Sequence, residues 1–268
     1  MQVDQFRRDD VQPFLSLAGE EGWLCSEQEF AFLLDSFPQG CFCMRQGGEP
    51  VAFVTSIKYG TSAWIGNLIV KSGLRGKGIG GTLMTAALDA LEKAGAATVW
   101  LTASAQGAPI YERLGFEPVD TIRRWQGTIP FCDENNHPAS HLEFLMIDRT
   151  GWGDRRDLLL STLLEKSVTR STAGGFIFLQ PMANGIQLGP WGSISTLAAT
   201  ALIDRILAST SPAVPAFLDV PALNEHAALL LYQRGFTVRS STLLMIRGEK
   251  PRYKPQHIYA LASMGSMG

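Results

Sequence analysis

The chain has 268 residues, 46% of them apolar, with a mean hydropathy of +0.06, enough for one large core or two modest ones. A formal charge of -2 and a pI of about 6.1 argue against a nucleic-acid surface. No basic-then-apolar leader opens the chain and no apolar run reaches the ~18 residues of a membrane span, so a cytoplasmic protein with no membrane partner is expected.

In chain order, Asp9-Asp10 reads as the capped entry to a first helix with Phe14, Leu15 and Leu17 on its apolar side, and a second helix is expected over 27–36 after Gly22-Trp23. Residues 40–45 and 51–58 flank the turn 46–50, a hairpin signal. Cys41 and Cys43 flank Phe42 at strand spacing and so point to one face as small core hydrophobes. Neither they, Cys25 nor Cys132 forms a CxxC pair, so no metal site is expected. Residues 63–70 then form a strand, and Arg75-Gly76-Lys77-Gly78-Ile79-Gly80-Gly81 opens a helix expected over 82–94. A strand over 98–102 and a short helix leading into Tyr111-Glu112-Arg113-Leu114-Gly115-Phe116 complete this block.

A strand, a basic glycine loop and a helix start together suit an anion. The first amides of a helix lack intrahelical acceptors, the peptide dipoles leave about half a positive charge there, and glycine lets a ligand approach the backbone. A phosphate or pyrophosphate ligand is therefore expected. The spacing Gly76-x-Gly78-x-x-Gly81 also fits a dinucleotide fingerprint, but residues 71–74 separate strand from loop and the next strand ends without a carboxylate. A Walker loop fails because no Lys-Ser or Lys-Thr follows the glycines.

With Arg75-x-x-Gly78-x-Gly80 after a strand ending in Val70, and Tyr111 ahead of Gly115-Phe116, the sequence resembles the GNAT superfamily of N-acetyltransferases over residues 1–127. The resemblance implies that backbone groups of Leu68, Ile69 and Val70 pair with the pantetheine arm of acetyl-CoA like an added strand. It implies that amides of Arg75, Gly76, Lys77, Gly78, Ile79 and Gly80 hold the pyrophosphate, and that Tyr111 protonates the departing thiolate. Ser104 stands where many relatives contact the cofactor through asparagine. The same resemblance makes Glu20, Glu21, Trp23 and Glu29 candidates for contacting an acceptor amine; they read equally as solvated carboxylates around one buried indole. Many relatives carry a glutamate on the central strand; here only Asn67 is polar there, so the general base is unassigned and a water relay is expected, with an amide near Val70 meeting oxyanion charge.

Residues 117–127 read as a final strand pair, and 131–140 as a polar, turn-rich linker in which His137 and His141 are loop residues rather than ligands. Asp154-Arg155-Arg156-Asp157 opens an amphipathic helix. The remainder repeats the first half in degenerate form. Leu218-Asp219-Val220 matches the strand at Leu101, Gly235-Phe236 repeats Gly115-Phe116, and Leu231 replaces Tyr111. In place of the basic loop stands Leu188-Gly189-Pro190-Trp191-Gly192, read with Asp219-Val220-Pro221-x-x-Asn224 as similar to a tandem acetyltransferase family with a Gly-Pro-Trp helix start; Asn224 sits where active relatives contact the cofactor.

The expected fold class is α+β: two tandem GNAT-like domains, each a mixed, mostly antiparallel sheet flanked by helices. The expected layout is a catalytic domain over 1–130, a linker over 131–147, a degenerate domain over 148–250 that shapes the acceptor pocket or makes a homodimer, and a tail over 251–268 whose 258–262 stretch docks back. The implied activity is acetyl transfer from acetyl-CoA to a small-molecule amine; the alternatives are a non-catalytic acyl-CoA-binding regulatory module, or a peptide or protein N-acetyltransferase.

Overall fold

A computed structural model describes residues 1–131 and 140–268, which divide into two units: Met1–Leu101 with Gly265–Met267, and Thr102–Met264 with Gly268. Cys132 and His137 lie outside the described residues.

The first unit runs β1 (Gln2–Gln5), α1 (Val11–Glu20), α2 (Glu27–Ser36), β2 (Phe42–Gln46), β3 (Glu49–Lys58), β4 (Ser62–Val70), α3 (Ile79–Lys93) and β5 (Thr98–Ala103), whose last two residues fall in the second unit. Its strands lie in the order β1-β2-β3-β4-β5. The first four are antiparallel, whereas β4 and β5 are parallel, as two strands joined by a helical crossover must be. Asp10 stands at the α1 N-cap without capping it; its carboxylate instead grips Arg45 Nη2 at 2.7 Å and the Arg7 amide at 3.0 Å. Ser26 does cap α2, accepting from the Glu29 amide. Phe6, Phe14, Phe30 and Phe53 interlock, with Phe14 and Phe30 ring centroids 4.4 Å apart. Each such buried ring contributes roughly 1.5–3 kcal/mol. Cys41 and Cys43 are buried beside them, and burial pushes their thiols up to about 12 and about 11, out of nucleophilic range. In α3 the buried Ile79, Leu83, Ala87, Leu88 and Leu91 form one helical stripe. The helix begins at Ile79 rather than at residue 82, because the turn at Gly78 already aims the chain into it.

The second unit contains α4 (Ala108–Arg113), β6 (Glu117–Pro130), α5 (His141–Trp152), α6 (Asp157–Lys166), β7 (Val168–Thr172), β8 (Gly175–Met182), β9 (Gly185–Ser193), α7 (Thr196–Leu207), β10 (Ala213–Pro221), α8 (Glu225–Tyr232), β11 (Thr237–Gly248) and β12 (Ile258–Ala260). Its strands are ordered β11-β6-β10-β9-β8-β7, with β12 on β9. β9, α7 and β10 repeat the strand, helix, parallel strand crossover of β4, α3 and β5.

Several expectations are corrected here. Residues 117–127 are part of one 14-residue strand, β6, which pairs with β10 on one side and β11 on the other. Within the segment read as linker, His141 opens α5, capped by Ser140, and Phe144 and Ile147 are buried. The Gly189-Pro190-Trp191 segment lies inside β9, not at a helix start; α7 begins at Thr196, where Ser195 accepts the Ala198 amide. The expected docking of residues 258–262 occurs through β12.

Candidate active site

In the first unit the pairing of β4 with β5 runs only from Ser62 to Trp64. Beyond that point β4 keeps β3 on one side and has no β5 partner on the other. The β3 register jumps from Thr55 opposite Gly66 to Phe53 opposite Ile69, so Asn67 and Leu68 together face Val54. This is a β-bulge, with Asn67 at φ 55. Asparagine tolerates this left-handed conformation better than most side chains, and here its amide nitrogen donates to Thr55 Oγ1 at 3.0 Å. Downstream, the Lys71 amide donates to Val51, which fixes the alternation: Ile69 turns its main chain to β3, and Leu68 and Val70 turn theirs to the open edge. Of the three residues expected to pair with a ligand, two therefore turn backbone groups there, and the carbonyl of one, Val70, already accepts from Arg75 Nε.

Following β4, Gly76 and Gly78 have φ 75 and φ 80, a backbone that side chains with a Cβ adopt at a cost. Gly78 is the N-cap of α3 and supplies no side chain, and the first intrahelical bond runs from the Thr82 amide to Gly78 O. The amides of Ile79, Gly80 and Gly81 stand ahead of it. Arg75 does not reach out over the loop: its Nε donates to Val70 O at 2.9 Å and its Nη2 to Glu21. Lys77 is exposed. The loop thus offers amides and positive charge at a helix head, which suits a pyrophosphate.

Among the acceptor candidates, Glu21 is taken by Arg75, and Glu20 is exposed. Trp23 is 40% exposed with its ring centroid 6.5 Å from that of Phe14, so it is not the buried indole of the bland reading.

In the second unit, Ser104 spends its hydroxyl on the Gly107 amide at 3.1 Å, shaping the entry to α4. Gly107 in turn lies against the Tyr111 ring: a Cβ there would sit 3.2 Å from Tyr111 Cε2 and 3.4 Å from Ser104 Oγ. Tyr111 packs edge-on to Phe116 at 6.1 Å and is only partly exposed; burial pushes its phenol up to about 12. No hydrogen-bond partner holds its hydroxyl among the described residues. A neutral phenol in this state can give up a proton to a base beside it.

The repeat is visible in how two helices end. The Phe116 amide donates to Tyr111 O and the Phe236 amide to Leu231 O, with Gly115 and Gly235 at φ 83 and φ 79. Leu231 therefore occupies the counterpart of Tyr111 and is fully buried. Asn224, the cofactor-contact candidate of this half, is occupied at both ends: Oδ1 caps the Ala227 amide and Nδ2 donates to Ile258 O.

Sequence reasoning missed Thr55, Gly66, Gly265 and Ser266. In the first unit the Asn67 amide donates to Gly265 O at 3.2 Å, Ser266 Oγ donates to Asn67 Oδ1 at 3.1 Å, and a Cβ on Gly66 would lie 1.9 Å from Gly265 O. The glycine at 66, inside an otherwise bulky strand, was the one available signal of a close backbone approach.

Among the described residues no group of three or more His, Cys, Asp or Glu could hold a metal, and no helix is long and apolar enough to cross a membrane. Residues 4–116 match the acetyltransferase (GNAT) family, and residues 144–260 match an acetyltransferase (GNAT) domain. The chain is similar to the uncharacterized N-acetyltransferase YitH of Bacillus subtilis, 25% identical over 280 residues, spanning 97% of this chain and 96% of that protein. It also resembles the ribosomal protein bS18-alanine N-acetyltransferase of Escherichia coli K12, 36% identical over 86 residues, 31% of this chain and 57% of that enzyme. The fold matches a crystal structure of a putative acetyltransferase from Pyrococcus horikoshii with a TM-score of 0.83 at 20% identity, covering 100% of this chain and 95% of that one. Two GNAT models in succession, together spanning most of the chain, place it in the GNAT superfamily: it is a GNAT-type N-acetyltransferase with two GNAT domains in tandem.

Proposed function

We propose that the protein transfers the acetyl group of acetyl-CoA to the amine of a small molecule. The observation that carries this reading is the unpaired edge of β4 running into the left-handed glycine loop at the head of α3. Main-chain groups of Leu68 and Val70 would extend the sheet onto the pantetheine arm, and amides from Arg75 to Gly80 would take the pyrophosphate. The Arg75–Glu21 pair braces the loop from the side of α1.

An amine attacks the thioester only when neutral, and at a reference pKa near 10.4 most of it is protonated at pH 7. Water relayed from β4 to a carboxylate removes that proton, and an amide on the open edge of β4 meets the oxyanion. Tyr111 is the proton donor to the leaving sulfur. Its phenol, pushed up to about 12, keeps its proton throughout the physiological range. Outright transfer to a thiolate with a reference pKa near 8.5 runs uphill by roughly 5 kcal/mol at 1.36 kcal/mol per unit, so donation is coupled to loss of the amine proton.

The test is thiol release from acetyl-CoA across an amine panel, with wild type beside Tyr111→Phe. Turnover with at least one amine, lost in the variant while acetyl-CoA still binds, supports the reading. Tight acetyl-CoA binding without turnover on any amine, and no effect of the variant, favours a regulatory module instead. The 36% match to the bS18-alanine enzyme supports a second acceptor class, the α-amine of a peptide, so an alanine-initiated peptide belongs in the panel.

A further inference from the structure

We propose that residues 265–267 form the end wall of the acyl-binding slot and restrict the donor to short acyl groups. The inference rests on the acetyl-CoA reading above. If pyrophosphate sits on residues 75–80, which follow Val70, the pantetheine arm must run back along the open edge of β4, past Val70 and then Leu68. Its thioester then falls beyond Leu68, at Asn67 and Gly66.

That position is occupied by the chain itself. The outward-facing amide of Asn67 is taken by Gly265 O at 3.2 Å, and Gly66 is a glycine because that carbonyl lies 1.9 Å from where its Cβ would be. Ser266 Oγ ties down the Asn67 side chain at 3.1 Å, and Tyr59 Oη donates to Met267 O at 2.6 Å. Ser266 and Met267 are only 3% and 4% exposed, so the segment is built in rather than laid on. An added strand along Leu68 and Val70 meets this wall after one more residue length of β4, about 3.3 Å. An acetyl group fits such a stop; a long acyl chain must turn away or displace it.

Direct binding tests this without knowledge of the acceptor. Affinities of coenzyme A, acetyl-CoA, butyryl-CoA and octanoyl-CoA are measured on the full chain by calorimetry. Wild type should bind octanoyl-CoA at least about tenfold more weakly than acetyl-CoA, about 1.4 kcal/mol. Ser266→Ala, which removes the hydrogen bond to Asn67 Oδ1, and Gly66→Ala, whose Cβ must push Gly265 O away, should narrow that gap, with coenzyme A itself unmoved. Gly265→Leu should widen it, since a Cβ at Gly265 meets nothing within 4 Å and the added side chain starts in open space. If Gly66→Ala does not fold, Ser266→Ala and Gly265→Leu still decide. Equal affinity for all three acyl-CoAs, or variants that change coenzyme A and acyl-CoA alike, overturns the wall while leaving the acetyltransferase reading standing. Failure to bind coenzyme A at all overturns both.

Discussion

The two crossovers of this chain, β4-α3-β5 and β9-α7-β10, share a plan and differ in what fills it. In the first, the strand edge past Trp64 and the head of α3 are left to something other than secondary structure. In the second, the protein fills both places itself. β12 pairs with β9 at Gly192 and Trp191, Leu261 O lies 1.9 Å from where a Cβ on Gly189 would be, and Gln180 Nε2 donates to Ala262 O at 2.8 Å. At the helix head, Ser195 Oγ takes the Ala198 amide, and no left-handed glycine or basic residue precedes it. Backbone groups must be satisfied by something. In the second domain the chain supplies those partners itself.

The comparison predicts that damage to the second half is structural and damage to the first is functional. The largest effect should come from Asp219→Ala. Asp219 is fully buried and held by Arg124 through two bonds of 2.8 Å and by Gln187 at 3.2 Å. Removing it takes both carboxylate bonds from the Arg124 guanidinium and should cost about 3–5 kcal/mol in denaturant unfolding, with coenzyme A affinity of the folded protein unchanged. A loss of affinity at unchanged stability would reverse the assignment of roles.

Next comes Tyr111→Phe, expected to lower kcat by about 10²-fold with acetyl-CoA affinity intact. It also carries a pH signature. The phenol is raised above its unfolded value of 10 by burial, so the folded state holds this proton more tightly. Its contribution to stability is complete below about pH 10 and is lost as pH rises toward 12. Wild type should lose stability relative to Tyr111→Phe across that window and nowhere below it.

Smaller effects separate the two helix heads. Gly78→Ala forces a side chain into the left-handed region and should cost about 1–2 kcal/mol, read as weaker coenzyme A binding in titration. Ser195→Ala should cost about 1 kcal/mol of stability as a lost N-cap and leave coenzyme A binding alone. Smallest is Glu21→Gln, which releases Arg75 from a half-exposed ion pair. Less than about 1 kcal/mol of stability is expected, with a salt-dependent change in coenzyme A affinity.

What the sequence disclosed about this contrast was local. The hairpin around 46–50, the helix that follows the glycine loop, the unusual dihedrals of the glycines at 76 and 78, and the repeat of Gly115-Phe116 at Gly235-Phe236 follow from patterns and backbone preferences within a dozen residues, and the structure has them. The Gly189-Pro190-Trp191 segment misled because proline after glycine is compatible with a helix start, and only the neighbours of β9 hold it in a strand. Asn224 misled because an amide that could reach a ligand is equally good as a cap. β6 was read as a pair because nothing local in it reveals that it has a partner on each side. The Asn67 network was invisible for a different reason: its members are 199 residues apart in the chain, and no alternation or spacing connects them.

That separation bears on how the molecule comes into being. Tyr59 and Met267, 208 positions apart, belong to the same unit, so Met1–Leu101 leaves the ribosome with its central strand still short of hydrogen-bond acceptors. It must wait while residues 102–264 are synthesised, on the order of ten to thirty seconds at ~5–20 residues per second. The unit whose strands are made first is thus completed by residues made after the whole of 102–264.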